Sequence, residues 1–154
     1  MKQVLTPNID PPCRNTDKRL AAAAATVLGV TFAIHLILDF FYRPWIWASG
    51  RSDLHFADAF TNVTSVIIVA SLMVLVERQK LWVDRATQSL IVLAPLVGMV
   101  CYEFMQPLLP WGTFDPWDIA WTFVGAALVV GIKRAVFDPL VEISTNRPHH
   151  EPYE

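Results

Sequence analysis

Four long apolar stretches, set apart by short polar segments, constrain this chain more than any other feature. A helix needs about 20 mostly apolar residues to cross the hydrocarbon core of a bilayer. Residues 20–41, 56–76, 86–106 and 117–137 each reach that length. The fourth is the weakest. Its uninterrupted apolar part runs only over 119–132, and Lys133 and Arg134 behind it must snorkel to an interface. Composition agrees: 54% of residues are hydrophobic and 17% charged, against roughly 25% charged in an average soluble domain. A disordered chain, a coiled coil and an ordinary soluble domain are thereby disfavoured. The expected fold is an all-α membrane protein, a four-transmembrane-helix bundle, with a mobile tail over 1–19 and a polar tail over 138–154.

The connecting segments read as loops. Residues 43–53 carry Pro, Gly and Ser, 77–85 are charged, and 107–116 hold three prolines and a glycine. The first stretch is about twice the length of a signal-peptide core and no A-x-A-like site follows it, so it is expected to stay as a span. With four spans, the N-tail, the 77–85 segment and the C-tail share one side. They hold Lys2, Arg14, Lys18, Arg19, Arg78, Lys80, Arg85, Lys133, Arg134 and Arg147, ten of the twelve Lys and Arg; Arg43 and Arg51 lie on the other side. The positive-inside rule then predicts that both termini of this multi-pass protein are cytoplasmic. Trp45, Trp47, Trp111, Trp117 and Trp121 fall at the outer ends and Trp82 at the inner, as an aromatic belt would but weighted outward.

The ionisable residues are unevenly placed. His35 and Asp39 share a face in the outer half of the first span, at i and i+4. His55 and Asp58 open the second, Glu103 and Gln106 close the third, and Asp115 and Asp118 precede or open the fourth. Charge within a bilayer is costly, so such groups face a bundle interior or a wet cavity. Ordinary structural roles compete with this. Asp58 and Asp118 complement a helix dipole, Asp115 suits an N-cap, and His35 suits an interhelical hydrogen bond. Glu103 fits none of these, because a helix C-terminus disfavours a negative charge. Asn62 continues the Asp58 face, and Thr122 and Gly125 continue that of Asp118. Ala25, Gly29 and Ala33, and more briefly Ala127 and Gly131, form small-residue stripes that let helices approach.

A net charge of −2 leaves no basic excess for nucleic acid, and two cysteines make no disulfide framework. There is no Gly-rich phosphate loop. His35, Asp39, His55, Asp58 and Glu103 have spacings from which a metal set can be imagined, but no HExxH or paired-His motif is present. No cofactor, metal or catalytic residue is assigned.

Glu103-x-x-Gln106, then Gly112-Thr113-Phe114-Asp115-Pro116-Trp117-Asp118, then Gly125, together with Asp53-Leu54-His55-Phe56, resemble the VanZ-like family of small bacterial membrane proteins. That family shows an E-x-x-Q near the end of one span, a GT-D-x-x-D-type opening of the last, and a glycine seven residues after the second Asp. The likeness covers about residues 53–132. It departs at Thr122, where the family usually has Asn, and at Phe60, where Tyr is frequent; the D-x-x-H-F-type opening is one residue short. The resemblance implies an envelope-related protein of a bacterial cytoplasmic membrane.

The expected function is therefore a non-enzymatic, outward-facing polar vestibule of His55, Asp58, Glu103, Gln106, Trp111, Asp115, Trp117 and Asp118. His35, Asp39, Asn62 and Thr122 form a secondary polar face. The vestibule would take an envelope-related ligand or a membrane-lipid head group, with Asp58 and Asp118 pointing into the bundle near Glu103. The alternative is a small accessory or structural subunit of a larger membrane complex.

Overall fold

The structure, a computed structural model, describes residues 14–77, 85–109 and 113–145. Every regular element in it is helical. Helix α1 spans Arg14–Ile37, α2 Arg43–Ser49, α3 Phe56–Glu77, α4 Arg85–Met105, α5 Pro116–Ile132 and α6 Asp138–Thr145. They merge into four continuous helices, Asp17–Ser49, Phe56–Glu77, Ala86–Leu108 and Pro116–Val141, each long and apolar enough to cross a membrane.

Two helices run further than the loops and tails read from the sequence. Five alanines over 21–25 favour α1 from within, and it begins at Arg14, inside the expected 1–19 tail. It does not stop near Phe41: a π turn over Leu38–Tyr42 leads directly into α2. The fourth helix likewise passes through a π turn over Lys133–Phe137 into α6, so the first eight residues of the expected 138–154 tail are helical. Both corrections have one cause. Pro44 and Pro139 each lie two residues beyond a π turn. A proline has no N–H to give, and its ring collides with the carbonyl four residues back. Those carbonyls belong to Phe40 and Ala135, each inside a π turn, where the wider backbone spacing lets the helix pass the ring.

Helix α3 is the centre. Over half of its most apolar window is buried (56%), against 17% for the first helix. It packs on α1, α4 and α5. The core joins Val63, Val66, Ile67, Ala70 and Val74 of α3 to Leu20 and Ala24 of α1, Ile91 of α4, Ala126 and Val129 of α5, and Phe137. Among the described glycines, Gly125 is the one packed tightly: an added Cβ would lie 3.0 Å from both Cα and O of Val63. The small-residue stripes do not provide such contacts within the chain. Nothing lies within 4 Å of where a Cβ would stand on Gly29 or Gly131, and Ala25, Ala33 and Ala127 are exposed. Leu20, Ala24 and Thr31 form the inward face of α1 instead. Much of the outer surface is apolar, including Val30, Phe32 and Ile37 on α1, Leu93 and Val97 on α4, and Phe123 on α5.

Candidate functional site: a buried amide–carboxyl knot beneath a polar loop

The end of the bundle carrying the 50–55 and 113–115 segments, here the loop end, gathers the polar groups. Glu103 on α4 is fully buried. Asn62 Nδ2 on α3 donates to its Oε1 at 3.1 Å, and Gln106 Nε2 donates to its Oε2 at 2.7 Å. Asn62 spends its other amide hydrogen on the backbone carbonyl of Asp118 at 3.3 Å, which also accepts from Thr122 Oγ1 at 2.7 Å. One side chain thus ties α3 to α4 and α5. Each Glu103 oxygen has a donor, so burial leaves neither unsatisfied. Arg43 is engaged elsewhere, 3.5 Å from Asp39 and 3.8 Å from Asp58.

The second group is on the surface. Gly50 ends α2 in a left-handed conformation, φ 62°. Leu54 and His55 follow at φ 58° and 61°, a region that costs an L-residue about 1–2 kcal/mol. Side chains hold this shape. Asp53 Oδ2 accepts from the Ala57 N–H at 2.8 Å and from the Tyr42 hydroxyl at 3.1 Å. Trp121 Nε1 donates to the Leu54 carbonyl at 3.2 Å, and the His55 ring stacks on Trp117, centroids 5.7 Å apart and planes 11° from parallel. The loop borders a cleft of about 180 Å³ lined by Trp47, Arg51, Asp53, His55 and Asp58, among others.

The expected vestibule residues therefore divide. Glu103 and Gln106 join Asn62 and Thr122 in the knot. His55, Asp58 and Trp117 stay near the surface. Asp58 does not point into the bundle as expected: nearly half of its side chain is exposed, toward Arg43. Its helix mate one turn on, Asn62, makes the inward contact. Asp118 is half-buried and enters the knot by its carbonyl. Asp115 caps α5, accepting from the Trp117 N–H at 2.9 Å. Trp111 lies outside the described residues.

The first helix divides too. His35 Nδ1 lies 2.9 Å from Thr64 Oγ1, with Phe60 beside the ring at 5.5 Å. The Thr64 hydroxyl oxygen also lies 3.1 Å from the Phe60 carbonyl of its own helix, so a ring nitrogen of α1 and a backbone carbonyl of α3 flank one hydroxyl. Asp39, on the same face in sequence, pairs with Arg43 instead. Tyr42, Arg43, Trp47 and Arg51 are participants that sequence reasoning did not place in the site. Asp53 was noticed only as the first residue of the Asp53-Leu54-His55-Phe56 opening. Arg43, Trp47 and Arg51 sat in what read as a loop, and Tyr42 just ahead of it.

The knot is a structural clamp in which each Glu103 oxygen has a donor, and the cleft above it offers charged and aromatic groups for binding. Among the described residues, no group of three or more His, Cys, Asp and Glu is placed to hold a metal ion. No family model matches the chain, and no curated protein or solved structure matches it.

Proposed function

We propose that the chain is a multi-pass protein of a bacterial cytoplasmic membrane, VanZ-like, with both termini in the cytoplasm. Its loop end binds an envelope-related ligand or lipid head group without catalysing a reaction. The observation that carries this reading is the shared cleft of Asp53, His55, Asp58 and Arg51 around a loop held in left-handed backbone. Strained backbone held by several side chains is a frequent mark of a binding site. Asp53 and Asp58 line the cleft beside Arg51, with Arg43 3.8 Å from Asp58, and the two carboxylates are the groups that would meet a ligand's ammonium. Arg51 is available for an accompanying anionic group, and Trp47 offers an aromatic wall. Apolar side chains exposed around the helices suit a lipid environment.

Two measurements test this. For orientation, Cys13 and Cys101 are replaced by serine. Single cysteines at Ser49 and Thr113 are expected to react with an impermeant thiol reagent from outside, and Gln79→Cys only after lysis. Labelling of Gln79→Cys in intact cells would reverse the topology. For binding, the protein is released from its own membrane and weighed by native mass spectrometry. An amine-bearing adduct is expected on the wild type and lost from Asp58→Asn/His55→Ala. An adduct pattern unchanged in that variant would remove the vestibule. A second reading, an accessory subunit, is favoured by the unfilled surface beside Gly29, which a partner helix would cover. Recovery with another membrane protein at fixed stoichiometry would support it.

A further inference from the structure

At the opposite end of the bundle, where α1 begins and α6 ends, a second cleft of about 480 Å³ opens between α4 and the α5–α6 helix. This lies within the about 300–1,000 Å³ usual for small-molecule sites. Its lining is layered along the helix axes. Lys133, Arg134 and Asp138 lie toward the end, with Gln88 and Ser89 opposite them near the start of α4; Val92, Leu93 and Val130 lie deeper. Leu93 and Val97 are exposed one turn apart on the same face of α4 and extend the apolar track toward mid-bundle. Lys133 Nζ is 2.7 Å from Asp138 Oδ1, which cancels one charge. Arg134 is exposed and has no ion-pair partner among the described residues, so the cleft keeps a net positive charge. The π turn over Lys133–Phe137 begins with these two basic residues and lies against the cleft.

We propose that this cleft binds an anionic phospholipid of the leaflet at the terminal end. The phosphodiester lies against Arg134 and Lys133, and one acyl chain follows Val92, Leu93 and Val97. A guanidinium matches phosphate oxygens in bidentate geometry, and an ammonium adds a point charge. Basic pockets between helices on the cytoplasmic side are suited to such head groups. Acyl contact distinguishes this occupant from a free anion: the apolar wall adds nothing for inorganic phosphate. The inference rests on the membrane reading above but not on the vestibule.

The test uses the full chain in detergent, after carbonate extraction has established that it is integral. Failure of that extraction would overturn both the membrane reading and this site. Phosphatidylglycerol or phosphatidylcholine is then titrated and retention read by native mass spectrometry. Phosphatidylglycerol is expected to bind at least tenfold more tightly. Lys133→Gln/Arg134→Gln is expected to abolish that preference, Arg134→Lys to keep part of it, and Arg19→Gln, an exposed residue of α1 outside the lining of both clefts, to leave it unchanged. Circular dichroism confirms that each variant is folded. Equal retention of the two lipids, or a preference that survives in the double variant, would overturn the proposal. Displacement of the lipid by millimolar inorganic phosphate would overturn it too, by making the cleft a simple anion site. Loss of the vestibule adduct with this preference intact would sink only the loop-end reading.

Discussion

Gly125→Leu is expected to lower stability by about 3 kcal/mol, the upper part of the usual range for overpacking. A Cβ there would already stand 3.0 Å from Val63 Cα and O, and 3.2 Å from Val66 Cβ. The first two are backbone atoms of the central helix, so no flexible side chain can turn aside. Helix α5 must move away from α3, and the core of Val63, Val66, Ala126 and Val129 must open with it. Gly125→Ala is expected to cost less but still to be measurable. Gly131→Leu, six residues on in sequence on the same helix, meets nothing within 4 Å and is expected to change little. Thermal unfolding of the three variants in one detergent, followed by circular dichroism, checks this. Equal midpoints for Gly125→Leu and Gly131→Leu would mean that α3 and α5 are not packed as closely as described.

The second large effect is expected at the knot. Asn62→Leu removes the donor to Glu103 Oε1 and one of the donors to the Asp118 carbonyl. Hydrogen bonds to charged groups contribute about 1.5–3 kcal/mol, and a buried acceptor left bare adds its desolvation cost. A loss of about 3 kcal/mol is therefore expected. Glu103→Gln is expected to fold and accumulate. Its amide carbonyl still accepts from Asn62, and Gln106 can rotate its own amide to present an oxygen to the new N–H₂. Glu103→Lys is expected to fail. It puts an ammonium against Asn62, which can offer its oxygen only by giving up the Asp118 carbonyl. Adding Asn62→Leu to the Glu103→Gln background is expected to cost less than it does alone, and a double-mutant cycle measures the coupling. Independent, additive effects would show that Asn62 and Glu103 do not act as a pair. Failure of Glu103→Gln to accumulate would show that the carboxylate itself holds the bundle.

Much of the architecture was legible because hydropathy and length are local properties. Residues 56–76 and 86–106 read as apolar runs, and their helices follow within a residue or two. The Asp115 cap was legible for the same reason: an acceptor side chain, a proline at the first helical position and a nearby N–H are neighbours in sequence. The difficulty of Glu103 was also visible, as an acidic residue at a helix end that repels it.

Three things were decided only by the tertiary structure. The helices pass Pro44 and Pro139 because π turns absorb the two rings, while the sequence shows only that proline withholds a donor. The faces were not fixed by period. Spacing puts Asp58 with Asn62, and Ala25 with Gly29, but spacing is relative and carries no absolute azimuth. Packing turned Asn62 inward, left Asp58 with Arg43, and sent the small stripe of α1 outward. The second partner of Glu103, Asn62, was hidden because it lies 41 residues away on another helix, whereas Gln106 is three residues on. A single chain names the polar groups that need satisfying; which groups meet depends on how neighbouring helices rotate to fill the core around α3.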